Sequence, residues 1–361
     1  MDFSLIAMAF DSLRISPPSK LILLDAQALS AAHVPPFPPD MPVLLVGVES
    51  RELADHLKNV LLTTYSPEYL IRVTDQGRMK EQRLEELGEG KYSDSVCWFI
   101  PSLGDGTSFE SFAEIIAHLR APNGCPWDRE QTHETLRKHL LEESYETIAA
   151  IDSGDFNSMR EEFGDLLLQI VLQAQIATEE GQFNINQVIQ GIYSKIIRRH
   201  PHVFGDLKLE GVQGVLANWE KLKEQERGKK NDGKGLLDGV PVALPALGQA
   251  QEYQDRAARV GFDWPEIEGV LDKVKEEIEE IKNAESDFEL ASEIGDLFFA
   301  LVNVARWKNV DAESALRGTN RKFKQRFGYI EQQTGKEGRN LSDLTLEEMD
   351  MLWNRAKTQD Q

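Results

Sequence analysis

Cysteine is almost missing from this chain: Cys97 and Cys125 are the only two among 361 residues. That excludes a disulfide framework and a four-cysteine zinc site, and it predicts a reducing, cytoplasmic setting. Long apolar runs are missing as well. None approaches the ~20 residues that a bilayer span needs, so no membrane partner is expected. The N-terminal stretch MDFSLIAMAFDSLRI carries Asp2 and Asp11, with no basic segment ahead of its apolar part, unlike a secretory signal. No G-x-x-x-x-G-K-[ST] run occurs, which removes a P-loop. Positive charge is scarce: 40 Lys and Arg stand against 61 Asp and Glu, a net charge of -21. Such a field repels nucleic acid and gathers metal cations, so no nucleic-acid partner is expected.

Proline thins out along the chain, with nine of the 15 at or before Pro101. The same N-terminal region holds short apolar runs at Leu21–Leu24, Pro42–Val48 and Val96–Ile100, bounded by breakers, as strands are. Between them Ser50–Tyr65 places Leu53, Leu57, Val60 and Leu61 on one helical stripe. A small α/β module over residues 1–105 follows from this. Beyond Ser108 the periodicity is helical almost throughout, with helices expected over Phe109–Arg120, Glu134–Ile151, Phe156–Glu180, Asn186–His200 and Gly211–Arg227. The polar, glycine-rich Gly228–Gly235 reads as a linker, and a second helical block follows from about Leu244 to Lys357. The expected organisation is thus 1–105, 106–230 and 231–361: mainly α, two tandem helical bundles behind a small α/β module.

The two helical blocks repeat one acidic pattern. Glu142-Glu143-x-x-Glu146 precedes Glu162-x-x-Asp165, and Glu276-Glu277-x-x-Glu280 precedes Glu293-x-x-Asp296. Arg120 and Trp127 lie upstream of the first set, Arg256 and Trp264 upstream of the second. Residues three and four apart share a helix face. Glu143, Glu146, Glu162 and Asp165 should therefore converge across an antiparallel helix pair, as should Glu277, Glu280, Glu293 and Asp296. A lone acidic run of this kind is ordinarily a solvated helix face. Here each set opens onto an apolar stretch, Leu166–Ile176 or Leu297–Ala305, expected to be deeply buried. Converging carboxylates raise one another's pKa, and a divalent cation removes that penalty. Oxygen ligands without cysteine or histidine suit Mg²⁺, with Mn²⁺ as a substitute, and magnesium commonly bridges to phosphates.

Several multi-residue stretches resemble the MazG-type nucleoside triphosphate pyrophosphohydrolases. Asn123–Asp128 (NGCPWD), Leu141–Glu146 (LEESYE), Glu162–Leu167 (EFGDLL) and Arg198–Phe204 (RRHPHVF) are similar to that family's first domain. Gly261–Trp264 (GFDW), Lys273–Glu280 (KVKEEIEE), Glu293–Phe298 (EIGDLF) and Asn320–Phe327 (NRKFKQRF) are similar to its second. The resemblance covers residues 108–358. It implies all-α bundles that assemble as homodimers, and hydrolysis of an NTP or dNTP to monophosphate and pyrophosphate, with nucleotide-pool house-cleaning as the expected role. It also implies Mg²⁺ held by the two carboxylate sets named above.

Lys273 sits one turn before Glu276, where the first block has the weaker cation His139. The second block should therefore be the principal site, with Glu276 or Glu277 and Lys273 in the catalytic role. Arg256, Trp264, Lys273, Asn320, Lys322 and Arg326 are its substrate-binding candidates. Pro42–Tyr65 and Phe99–Leu103 resemble, more weakly, the C-terminal half of tetrapyrrole methylases, without that family's cofactor loops. A hydrolase restricted to dUTP or phosphoribosyl-ATP, and a non-catalytic dimerisation scaffold, are the competing readings.

Overall fold

The structure, a computed structural model, describes residues 3–13, 18–88, 92–215, 218, 219, 222 and 235–359. The expected linker, apart from Gly235, and most of Gly211–Arg227 beyond residue 215 lie outside the described residues. The chain divides into two compact units, Met1–Ile196 and Ile197–Gln361.

The first unit begins with the α/β module. Its strands are β1 (Ile22–Asp25), β2 (Val43–Val46), β3 (Leu70–Asp75), β4 (Arg78–Arg83) and β5 (Cys97–Ile100), in the order β1-β2-β5-β3-β4. β1 and β2 run parallel, and the other pairs are antiparallel, with Leu44 opposite Phe99 and Leu45 opposite Trp98. β2 (VLLV) and β5 (CWFI) are buried at every residue, which is why they read as unbroken apolar runs. Alternate residues serve opposite faces. Val43, Leu45, Trp98 and Ile100 pack with Leu53, Ala54, Leu57 and Leu61 of α2 (Arg51–Leu62). Leu44, Val46, Cys97 and Phe99 pack with Ile6, Ala9 and Leu13 of α1 (Phe3–Leu13).

The β3–β4 hairpin turns through Gln76 and Gly77, both at positive φ, the conformation that a two-residue hairpin requires. Periodicity did not indicate this hairpin, because β4 (RMKEQR) is polar and almost wholly exposed.

Five helices complete the unit: α3 (Phe109–Arg120), α4 (Pro126–Glu130), α5 (Arg137–Ser153), α6 (Phe156–Glu179) and α7 (Ile185–Arg199), whose last residues fall in the second unit. The module is tied to α3 by Asp40, which accepts hydrogen bonds from the Ser108 hydroxyl at 2.6 Å and from the Ser111 hydroxyl. Those two bonds hold the Asp40 carboxyl below its ordinary range. The break expected near residue 105 is therefore bridged within one compact unit. α5 ends on Gly154 in the left-handed conformation (φ 71°), and Asp155 caps α6 by accepting from the Asn157 N–H at 2.9 Å. So short a connection folds α5 and α6 back on each other. Ile116, Leu136, Val171, Leu172 and Ile176 form the core beneath them.

The second unit carries α8 (Pro201–Phe204), α9 (Ala246–Arg259), α10 (Ile267–Asn283), α11 (Asp287–Trp307), α12 (Ala312–Lys336) and α13 (Leu346–Gln359). The α10–α11 hairpin repeats the α5–α6 design, with Ser286 capping α11 through the Glu289 N–H. Against α12, α13 packs Trp353 onto Phe323, with centroids 5.3 Å apart.

The expected deep burial of Leu166–Ile176 and Leu297–Ala305 holds for one face only. Val171, Leu172, Ala300 and Val302 are buried, whereas Leu167, Ile170, Phe298 and Leu301 are exposed. A helix apolar all round needs neighbours all round. Within each unit the described helices cover a single side.

Candidate active site

The second unit builds its site from one stripe of α10 and the facing turns of α11. Lys273, Glu276, Glu277 and Glu280 follow one another at helical spacing, so their side chains rise on one face. Glu293 and Asp296 answer from α11. Carboxylate oxygens of Glu277, Glu280 and Glu293 lie within 4.8 Å of one another. Glu277 is 2% exposed, deep for a carboxylate, which normally needs a partner when buried. Its Oε1 lies 2.5 Å from Lys273 Nζ, which also donates to Glu276 Oε1 at 2.8 Å. These two acids push the Lys273 ammonium well above its ordinary pKa. Glu277 Oε2 is buried and has no hydrogen-bond partner among the described residues. Burial, followed by the charge of Glu277, raises the Glu280 carboxyl.

Beside the acids opens a cavity of about 360 Å³. Lys273, Glu277 and Asp296 stand at one end of it, the paired Asp263 and Arg306 also line it, and its walls include Leu237, Tyr253, Ala257, Phe262, Val270 and Phe299. Trp264 closes one side. Its ring lies against Gly269, where an added Cβ would come within 2.4 Å of Trp264 Cδ1. The preceding Asp263 accepts from the Trp264 N–H at 2.9 Å, Arg306 Nη2 at 2.6 Å and Trp307 Nε1 at 3.2 Å. Burial pushes the Asp263 carboxyl up, but these donors outweigh it and hold it below its ordinary range.

The first unit repeats the carboxylates, none of them as deeply buried as Glu277. Oxygens of Glu143, Glu146 and Glu162 lie within 4.8 Å of one another, and Glu146 is exposed. Burial, then the charges of Asp165, Glu146 and Glu162, raises the Glu143 carboxyl, so Asp165 belongs to the same cluster. Burial and the charges of Glu146 and Asp165 raise Glu162 likewise. In the place of Lys273 stands His139, 3.6 Å from Glu142.

The remaining candidates are placed differently. Arg256 is 4% exposed and turned away from the cavity. Its guanidinium donates to Glu252 Oε1 at 2.9 Å, to the Leu236 carbonyl at 3.1 Å and to the Gly239 carbonyl at 3.0 Å, fastening the chain ahead of α9. Arg120 does the same work in the first unit, gripping Glu179 and the carbonyls of Asp128 and Gln131. Asn320, Lys322 and Arg326 on α12 do not line the cavity, and Arg326 stacks 5.5 Å over the Trp353 ring. Gln254, Asp263, Asn303 and Arg306, which do line it, were not indicated by the acidic pattern. Asp263 lies within the GFDW stretch, and Asn303 and Arg306 continue the face of Asp296 by two and three turns.

A family model described as the MazG nucleotide pyrophosphohydrolase domain matches residues 131–204 and again 267–329. The chain is 46% identical over 256 residues to a nucleoside triphosphate pyrophosphohydrolase/pyrophosphatase MazG of Thermotoga maritima, covering 71% of this chain and 98% of that protein. It is 45% identical over 252 residues to a nucleoside triphosphate pyrophosphohydrolase of Escherichia coli, covering 68% and 95%. A Bacillus subtilis protein, the uncharacterised YabN, is 40% identical over 368 aligned residues, covering 98% of this chain and 74% of that protein.

Proposed function

The chain belongs to the MazG family of nucleoside triphosphate pyrophosphohydrolases, and from that premise we propose that the acids of α10 and α11 are its principal hydrolytic centre. The enzyme hydrolyses the anhydride of a nucleoside triphosphate, giving monophosphate and pyrophosphate. The observation that carries the assignment is Glu277 Oε2: a buried carboxylate oxygen without a donor, amid two further carboxylates and beside a cavity of nucleoside size.

The donor set fits a hard divalent cation, because it is all oxygen and the buried charge lacks a counter-ion beyond Lys273. Glu277, Glu280, Glu293 and Asp296 would hold Mg²⁺, or Mn²⁺ in its place, and Glu143, Glu146, Glu162 and Asp165 form the corresponding set in the first unit. Bound there, the ion would offset triphosphate charge and polarise the phosphorus under attack.

The chain's own groups do the rest. Lys273 fixes Glu277 by its Oε1 and leaves Oε2 free. It also holds the exposed Glu276, whose oxygen not bonded to Lys273 can take a proton from water. Trp264 and the apolar wall exclude solvent from the nucleoside end. Asn320, Lys322 and Arg326 stand outside the cavity lining, and a second copy that brought its α12 to the cavity would place them on the triphosphate. The uncovered apolar faces of α6 and α11 favour such a homodimer. A net charge of -21 and the lack of any helix long and apolar enough to cross a membrane, among the described residues, favour a cytoplasmic role on small nucleotides. Removal of unwanted nucleotides is the role that fits. The α/β module, whose central strands β2 and β5 are packed on both faces, is assigned to assembly rather than to methyl transfer.

Phosphate-product analysis with ATP, dCTP, dUTP and dITP, with and without Mg²⁺, tests the reading. Monophosphate plus pyrophosphate, formed only with metal, is expected. Glu280→Ala should lower turnover at least about a thousandfold, while Glu146→Ala should leave most of it. The reverse ranking would move the principal site to the first unit, and no turnover of any substrate would favour a scaffold.

A further inference from the structure

A second buried oxygen beside the cavity lacks a partner. Gln254 on α9 is 8% exposed, and its Oε1 accepts no hydrogen bond from the described residues. The orientation of the amide is fixed: Nε2 donates to the Phe299 carbonyl at 2.8 Å, so the oxygen must be the free atom. Buried acceptors are nearly always satisfied, and one left bare on a residue that lines a cavity calls for a donor from a ligand. Glu277 Oε2 is the other such atom on this wall. A charged oxygen asks for a cation, whereas a neutral amide oxygen asks for an N–H or O–H.

The position of Gln254 indicates which part of a nucleotide could supply that donor. α11 lines the cavity with Asp296, then Phe299 and Ala300, then Asn303. At about 1.5 Å per residue, Phe299 lies about 4.5 Å beyond Asp296 along the axis, and Asn303 about 10 Å. Gln254 is bonded to the Phe299 carbonyl and so sits past the acids, at the apolar and aromatic end. Asn303, 4% exposed, accepts at Oδ1 from Arg306 Nε at 2.9 Å, so Nδ2 is its donor end. An amide acceptor and an amide donor in one apolar wall match the edge of a nucleobase, where an N–H stands beside an acceptor. At the matching position of the first unit, two residues before Arg120 as Gln254 stands before Arg256, is the exposed His118; the bare buried amide oxygen of that unit belongs instead to Gln169 on α6.

We propose that Gln254 is a specificity-determining residue of this site, its Oε1 accepting a hydrogen bond from an N–H of the substrate's base. The proposal rests on the second unit being the nucleotide site. It implies that nucleotides are selected for a base that carries such an N–H and not by the triphosphate alone.

The test compares ATP with purine riboside triphosphate, which has no N–H on its base, and with 2′-deoxy-ATP and 3′-deoxy-ATP, each lacking one ribose hydroxyl. Both Kd, by calorimetry, and kcat/KM are measured. Wild type should lose at least about tenfold on purine riboside triphosphate in either quantity. Gln254→Met, which keeps the length of the side chain, should bring ATP down to the analogue and leave the analogue unchanged. Because the readout is a ratio between substrates, general destabilisation of the variant cancels. Equal treatment of ATP and the analogue by wild type would overturn the proposal. So would a loss confined to a deoxy-ribose compound, which would assign the acceptor to a sugar hydroxyl. Absence of all hydrolysis would count against the hydrolytic centre, while the Kd ratio would still decide the role of Gln254.

Discussion

Lys273 Nζ stands 2.5 Å from Glu277 Oε1, one helical turn along α10, and the other oxygen of Glu277 is left bare in the protein interior. The pair is half of a neutralisation: one ammonium faces three clustered carboxylates. Removing the ammonium leaves Glu277 buried and uncompensated. Lys273→Met is therefore expected to lower the stability of the metal-free protein by about 1–3 kcal/mol, less than a fully buried pair would lose because Lys273 is partly exposed. Mg²⁺ should restore much of that loss, since a cation supplies the missing charge. Thermal unfolding with EDTA and with Mg²⁺ reads both effects. A variant whose Tm is unmoved in EDTA would show that the pair does not compensate Glu277.

The Trp264 wall depends on the absence of a side chain at Gly269, whose missing Cβ leaves the ring its place. Gly269→Ala gains helix propensity but forces a 2.4 Å approach to Cδ1, so the ring must swing. KM for ATP should rise about three- to tenfold with kcat little changed, because an apolar wall binds ground state and transition state alike. Tryptophan fluorescence should shift in parallel. An unchanged KM would remove the ring from the substrate's surroundings.

What could be read from the chain itself was whatever burial or repetition stamps on residue order. β2 and β5 are buried on both faces and so stand out as VLLV and CWFI, whereas β4 is a polar edge strand with no pattern to read. The acidic sets were legible because they recur with the same internal spacing. The direction of Arg256 was not, since whether an arginine near a site binds substrate or fastens a loop depends on which carbonyls the fold brings to it. Gln254 and Asn303 were illegible for a related reason. An amide on an amphipathic helix looks like surface until a neighbouring helix covers it.

The α12–α13 junction offers a pH test away from the catalytic acids. Arg339 donates to both oxygens of Glu348, at 2.9 and 3.2 Å, and the Thr345 N–H donates to one of them. With Arg339 the larger cause, these donors pull the Glu348 carboxyl down to about 2 from its ordinary 4.5. A carboxyl lowered on folding adds stability above its unfolded pKa, and that contribution fades as pH falls from about 4.5 towards about 2. Glu348→Gln should flatten this part of the Tm profile and leave the profile above pH 6 parallel to wild type. Equal slopes in both proteins below pH 4.5 would show that the pair does not report on folding.

The uncovered faces of the two helical hairpins make the last prediction. On α11, Phe298 and Leu301 are 55% and 46% exposed, and on α6 Phe163 and Ile170 are 50% and 43% exposed. Isolated apolar residues on a surface need no explanation, but here they continue the same helices that carry the acids. A stable homodimer buries about 1,600 Å² or more with an apolar centre, and a charge placed in that centre lacks a counterpart. Leu301→Glu should shift the protein from dimer to monomer in sedimentation equilibrium. It should also cost turnover disproportionately if the partner's α12 brings Asn320, Lys322 and Arg326 to the triphosphate. A monomeric wild type would dismiss the dimer. A monomeric but fully active Leu301→Glu would keep the dimer and confine the whole reaction to one chain.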